Sequence, residues 1–340
     1  MIPIKNIYYM LSYAFQVLSE KSYERLGMEE FDNINELFAE ILIISISRQI
    51  KRGLERDYIE NTYELPTIKG KIELTQSITS LRNKRVVCSY DNFTVDSYKN
   101  QIIKSTMQLL LKRGKLSKNR KKKLKRLYLY FKDVNLINLN TVNWNIQYNK
   151  NNQTYRMIIG ICYLTSKGLL QNHSEGKTKL IDFYESNMPR LYEKFILEYY
   201  KREYGNIKAE SSQIKWQLDD EIDTNLPIMQ TDITLTKDYK TVIIDAKYYT
   251  HSMQEHYNIK TVHSGNLYQI FTYVKNKEAE LSNQKHEVSG ILLYAKTDEE
   301  KQPDFTYKMS GNRISAKTLD LNQDFDMIKK QLDSIVEEYF

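Results

Sequence analysis

Thr241-Val242-Ile243-Ile244-Asp245-Ala246-Lys247-Tyr248-Tyr249 is a β-branched and aromatic run that carries a carboxylate and an ammonium at its end. Its composition predicts a buried strand. Side chains alternate along a strand, so Asp245 and Lys247 face one side, roughly 7 Å apart, and Ala246 faces the other. Thirteen residues before Asp245, Asp232 closes a second run, Met229-Gln230-Thr231-Asp232-Ile233. Hairpin neighbours lie about 5 Å apart, which lets the two acids meet. Two carboxylates can hold a hard divalent cation while a lysine steadies developing negative charge, the equipment for cutting a phosphodiester. The expectation is a nuclease centre built on Asp232, Asp245 and Lys247. An acid-x-Lys triplet is weak evidence alone, because a chain with 43 acidic residues holds about four by chance. Strand context singles this one out; the alternative is a structural ion pair at a strand end.

Working outward, strand-like segments at 212–218, 228–235 and 241–248 lead to a helix over 264–276 and then to the apolar strand Gly290-Ile291-Leu292-Leu293-Tyr294. This order predicts an antiparallel meander, a crossover helix and a further strand, giving an α/β sheet between helices. Asn187-Met188-Pro189 reads as a helix start, with asparagine near the cap and proline in the first turn. The stripe of that helix is Met188, Tyr192, Phe195, Ile196 and Tyr199, with Glu193 on its border about 60° from Ile196. Glu193 is either a surface glutamate or a third acid turned toward the metal site. Over 264–276 the stripe is Leu267, Ile270, Phe271 and Val274, leaving Gln269 and Tyr273, four apart, on another face. That pair either meets solvent or reaches over the active centre. Residues 325–339 read as an amphipathic packing helix.

A chain of 340 residues predicts two domains. The boundary is expected in the polar stretch 166–179, giving domains over 1–170 and 171–340. Apolar spacing over 6–19 and 33–50 predicts two packed helices, 58–73 reads as short strands joined by turns at Pro66 and Gly70, and 98–130 returns to helical periodicity. Lys112 to Arg126 carries ten basic residues and no acidic one. It is either a solvated face with Leu116, Leu124 and Leu127 turned inward, or a helix hairpin contacting phosphates through Lys121, Lys122 and Lys123.

Several functions are disfavoured. Gly176-Lys177-Thr178 resembles the tail of a P-loop, but Gln171 stands where the motif needs glycine, so nucleotide hydrolysis is assigned to another chain. The spacing of His251, His256 and His263 fits no zinc motif, and Cys88 and Cys162 are too few for a disulfide framework. The formal charge of +7 permits a polyanion partner without demanding one. No apolar stretch approaches the roughly 20 residues of a membrane span, and no signal-peptide layout begins the chain, so a cytoplasmic location is expected.

The residues also resemble a known family. Ile2-Pro3-Ile4-Lys5-Asn6-Ile7-Tyr8-Tyr9-Met10-Leu11-Ser12-Tyr13-Ala14-Phe15, Leu65-Pro66-Thr67-Ile68-Lys69-Gly70-Lys71-Ile72, Asn100-Gln101-Ile102-Ile103-Lys104-Ser105-Thr106, Thr231-Asp232-Ile233-Thr234, Ile244-Asp245-Ala246-Lys247-Tyr248-Tyr249 and Asn266-Leu267-Tyr268-Gln269 are similar to segments of McrC, the nuclease-subunit family of McrBC restriction systems. The likeness spans essentially the whole chain. It implies mixed α and β structure: a helix-rich amino-terminal domain with short strands, then an α/β PD-(D/E)xK nuclease domain whose central mixed sheet is flanked by helices. By that likeness Asp232, Asp245 and Lys247 are catalytic, and Asp232, Asp245 and the Ala246 carbonyl are metal ligands. Gln269 and Tyr273 resemble a weaker Gln-x-x-x-Tyr element. Thr231 stands where the wider superfamily has proline, as McrC-like sequences do. The resemblance further implies Mg²⁺ or Mn²⁺ as cofactor, double-stranded methylated DNA as substrate, no membrane, and an McrB-like AAA+ GTPase ring that supplies GTP hydrolysis and receives the amino-terminal half. Two rival readings stay open: a non-catalytic DNA-binding adaptor that activates the ring, and a nuclease acting without a GTPase.

Overall fold

Asn6, Tyr9 and Tyr13 recur at helical spacing in the first helix, α1 (Ile4–Ala14), and decide where it packs. The Asn6 side-chain amide donates to the carbonyls of Leu321 and Gln323, both at 2.8 Å. Tyr9 stacks on Phe325 with ring centres 4.5 Å apart, and the Tyr13 hydroxyl donates to Glu203 Oε1 at 2.7 Å. In the computed structural model, which describes residues 2–148, 153–171, 179–220, 224–256 and 259–340 (backbone only at 59, 171, 179–187, 255, 256 and 259), contacts accordingly divide the chain into Met1–Glu30 with Ser174–Phe340 and Phe31–His173. This corrects the expected domain over 1–170, since the first thirty residues join the carboxy-terminal unit. It also corrects the expected pairing of the first two helices: α1 packs on the helix of 179–203.

The Phe31–His173 unit is a helical cluster with a small sheet. Asn33 caps α2 (Ile34–Arg52) by accepting from the backbone amides of Asn35 and Glu36, and Gly53, at φ 94°, ends it. Strands β1 (Asp57–Leu65), β2 (Lys71–Ile72) and β3 (Val86–Thr94) pair antiparallel in the order β1-β3-β2, with α3 (Leu74–Ser80) between the last two. Gly70, at φ 71°, is required in the turn before β2: a Cβ there would lie 2.5 Å from the Ser89 carbonyl oxygen. Helices α4 (Tyr98–Arg113), α5 (Lys118–Tyr128) and α6 (Gln153–Gln171) complete the unit, with α2 packing on α5 and α6. The basic helix α5 is anchored by Leu124 and by acids of α2. Arg120 pairs with Glu36 and, at 2.9 Å, with Glu40, while Lys123 reaches Glu40 at 3.2 Å.

The other unit is built on one mixed sheet. Helix α7 (Lys179–Glu203) starts earlier than the sequence suggests and holds Pro189 in its interior. Then follow β4 (Lys208–Glu210), β5 (Gln213–Ile214), β6 (Met229–Gln230), β7 (Ile233–Lys237), β8 (Lys240–Lys247), β9 (Met253–His256), β10 (Ile259–Val262), α8 (Ser264–Glu280), β11 (Glu287–Ala295), β12 (Phe305–Met309), β13 (Asn312–Leu319) and α9 (Phe325–Tyr339). The six-stranded sheet runs β12-β13-β11-β8-β7-β4. β8, β11 and β13 are parallel neighbours, and the outer pairings are antiparallel. α8 is the crossover between β8 and β11 and lies against that face of the sheet. Gly290 permits the close approach, since a Cβ there would come within 2.7 Å of Ile270 Cγ1 and 2.8 Å of Val274 Cγ2. Gly176-Lys177-Thr178 lies outside the described residues. Among the described residues no helix is long and apolar enough to cross a membrane.

Candidate active site

Register places the acids. β7 pairs with β8 from Lys237↔Lys240 to Ile233↔Ile244, so one further step sets Asp232 across from Asp245. β11 pairs with β8 so that Leu292 neighbours Asp245 and Tyr294 neighbours Lys247. The set therefore lies at the carboxy-terminal end of β8, where open α/β sheets receive ligands. Asp232 Oδ2 accepts the Ala246 amide at 2.8 Å, fixing the bend before β7 to the end of β8. Lys247 Nζ folds back to 2.7 Å from Asp245 Oδ2 and donates to Gln269 Oε1 at 3.0 Å. Gln269 Nε2 donates to the Tyr273 hydroxyl at 2.9 Å, which donates to the Gln230 carbonyl at 3.3 Å. Gln269 and Tyr273 thus belong to the site and do not form a solvent-facing pair.

The electrostatics are those of excess negative charge. Burial first, and then the carboxylates of Asp245 and Glu193, push Asp232 up to about 8 against the Ala246 amide and the Lys247 ammonium. Burial also raises Glu193, countered by Lys247, with Asp245 raising it further. Burial works to lower Lys247, but Asp245, by charge and hydrogen bond, together with Tyr249 and Asp232, carries it above its ordinary value. Asp245 Oδ2 is in ion-pair range of Lys247 by distance, yet it receives no well-aligned hydrogen bond and is buried. A buried carboxylate oxygen whose one close partner is the Lys247 ammonium, beside a second carboxylate pushed up to about 8, suits an added hard cation. Among the described residues no three His, Cys, Asp or Glu side chains are arranged to hold an ion by themselves. The available donors are Asp232, Asp245 and the Ala246 carbonyl, a set that fits a cation retaining several of its waters.

Around this centre lie residues that the sequence reading left without a role. Tyr249 donates to Asn266 Oδ1 at 3.1 Å, and Asn266 Nδ2 donates to the buried Tyr294 hydroxyl at 3.0 Å. Asn266 stands three residues before Gln269, a spacing that shares a helix face and was available to find it. Of the histidines, the His263 ring lies 3.3 Å from the His251 carbonyl, His251 is 4.0 Å from Glu299, and the side chain of His256 is outside the described residues.

Comparison with known proteins agrees with this fold and extends over the chain. The family described as McrBC 5-methylcytosine restriction system component matches residues 4–295. This chain belongs to that family. The type IV methyl-directed restriction enzyme EcoKMcrBC of Escherichia coli strain K12 is 31% identical over 346 positions, covering 99% of this chain and 98% of that protein. A half-complex from the tetradecameric assembly of Thermococcus gammatolerans McrB AAA+ hexamers with bound McrC shares the fold, with a TM-score of 0.50 at 18% identity over 98% of this chain and 76% of that one.

In this McrBC-family chain the threonine at 231 has a structural reason. Its buried amide donates to the Ser212 carbonyl at 3.0 Å, a bond that proline could not make. Its hydroxyl lies 2.9 Å from that of Thr234 and accepts the Ser212 amide at 3.0 Å. The Ser211 hydroxyl donates to the Thr231 carbonyl at 2.7 Å. These bonds hold the bend that presents Asp232.

Proposed function

We propose that this chain is the Mg²⁺-dependent DNA endonuclease subunit of a GTP-dependent, modification-dependent restriction complex. The observation that carries the reading is the convergence of Asp232, Asp245 and Lys247 on one strand end. A bound Mg²⁺, or Mn²⁺, would activate water and neutralise the departing oxygen. Asp232, Asp245 and the Ala246 carbonyl would hold it, with Glu193 adding negative charge nearby. Lys247, kept an ammonium by Asp245 and aimed by Gln269, donates to the phosphate where negative charge develops. Tyr273 fixes Gln269 against the Gln230 carbonyl.

The same reading assigns partners. By likeness to the restriction enzyme of Escherichia coli and to McrC bound on McrB AAA+ hexamers, the partner is an McrB-like GTPase ring and the substrate methylated double-stranded DNA. Docking is placed on α3 and the turns that flank it in the Phe31–His173 unit. Leu74, Ile78 and Leu81 follow one another at i, i+4 and i+7, with Leu74 and Ile78 at 76% and 67% exposure, and Ile68 in the preceding turn is exposed as well. Phosphate contact is placed on α5. Of Lys121, Lys122 and Lys123, the first is half-buried and the third is paired with Glu40, so the outward row is Lys118, Lys122, Lys125 and Arg126.

Asp245→Ala should reduce cleavage of methylated plasmid by about 10³-fold or more, while binding of the ring and stimulation of its GTPase stay within about twofold of wild type. Plasmid assays with Mg²⁺, with and without the ring and GTP, measure both. Cutting that persists in the variant rejects the assignment.

A further inference from the structure

Tyr249 and Asn266 take no part in the chemistry proposed above, yet they form a clamp beside it. β8 stops at Lys247. Tyr248 then turns toward α7, its ring 6.0 Å from that of Tyr192, and alternation sends Tyr249 to the α8 side with Asp245 and Lys247. There the phenol is held through Asn266 to Tyr294, the neighbour of Lys247 on β11. Asn266 and Gln269 share a face of α8, so one helix face fixes both the phenol and the ammonium. The Tyr249 ring is braced edge-on by His263 at 5.5 Å and tilted against Tyr294 at 6.2 Å. Tyr249 is also the outermost of the group: it is 39% exposed, whereas the side chains of Lys247 and Asp245 are 13% and 3% exposed. At rest its O–H is satisfied by a neutral amide oxygen. A phosphate oxygen is a stronger, charge-assisted acceptor, and rotation about the C–O bond redirects the proton without moving the ring.

We infer that Tyr249 donates its hydroxyl to a phosphate oxygen of the DNA strand beside the scissile phosphate, and that Asn266 is the positioning residue that holds the phenol ready at the mouth of the site. The identity of the substrate rests on the nuclease reading. Tyr249 acts in binding and makes no covalent step. Tyr249→Phe removes one exposed hydroxyl and keeps the ring packing. In an Asp245→Ala background it should weaken binding of a fluorescein-labelled methylated duplex by about tenfold. In the cleaving complex it should raise KM by a similar factor and leave kcat within about twofold. Asn266→Ala should reproduce the effect and add less than about twofold when Tyr249→Phe is already present. Unchanged Kd and KM, or a fall in kcat at unchanged KM, overturns the inference. If Asn266→Ala lowers Tm, Tyr249→Phe alone decides. If the wild-type complex cuts no DNA, the nuclease reading fails, while the Kd comparison in the Asp245→Ala background still decides the contact.

Discussion

Asp232 and Asp245 face each other across a hairpin with a lysine on one and a backbone amide on the other, and the two do not experience the same field. Asp245 has the ammonium at 2.7 Å, whereas Asp232 has one amide and two nearby carboxylates. Burial first, and those carboxylates second, push Asp232 up to about 8 in the folded chain against 3.8 as a free side chain. The metal-free folded state holds an extra proton between those values. The stability this contributes is complete below about pH 4 and is lost as pH rises through about 8. Asp232→Asn cannot ionise and keeps an acceptor for the Ala246 amide. In chelator, the Tm of wild type relative to Asp232→Asn should fall steadily from pH 4 to 8, and Mg²⁺ should restore it at the upper end. Parallel curves across that interval would mean that Asp232 stays charged and that the acids relieve each other without a cation.

Helix α5 shows how an element can be basic for two reasons at once. Its inner charges are structural: Glu36, almost fully buried, accepts from the Ser117 amide and pairs with Arg120, and breaking such a pair costs about 3–5 kcal/mol. Its outer charges have no carboxylate within ion-pair distance among the described residues. On the proposed reading they meet phosphates, each contributing about one unit to the salt slope of binding. Reversing Lys118, Lys122 and Lys125 to Glu should flatten the slope of log Kd against log salt by about three, while Lys123→Glu leaves it nearly unchanged. Equal slopes in both variants would return α5 to a solvated face. A run of ten basic residues was legible in the sequence, but not which ones point outward, because Glu36 and Glu40 come from a helix eighty residues earlier. The same limit recurs elsewhere. The β8 strand, the crossover helix and α9 were readable from local apolar pattern, as were both acids. The start of α7 was not, because Pro189 imitates a first turn, and α1 was assigned to the wrong unit because Asn6 finds its acceptors more than three hundred residues later. Gln269 and Tyr273 were readable as a pair, whereas their direction depended on how closely Gly290 lets α8 approach the sheet.

At the scale of the molecule, the two contact units divide the surface chemistry. The unit with the mixed sheet keeps its charged centre inside a strand end, and its apolar residues lie mostly in the core. The Phe31–His173 unit exposes an apolar stripe on α3 and a basic row on α5. A stripe of Leu74, Ile78 and Leu81 that stays mostly exposed costs free energy in water, at about 25 cal/mol per Å² of apolar surface, and such patches mark protein contacts. If this stripe is where the ring docks, damage there should uncouple the two proteins and leave the Asp232, Asp245 and Lys247 centre intact. Leu74→Asp with Ile78→Asp should lower the affinity for an McrB-like ring, and the GTPase stimulation measured at limiting ring concentration, by about tenfold or more. Its Tm and its affinity for the labelled duplex should match wild type, since both side chains are solvent-facing in the free chain. Mn²⁺-supported nicking without the ring, where detectable, should also be unchanged. Normal ring binding by this variant would move docking off α3, and a matching loss of Tm would show that the stripe packs within its own unit.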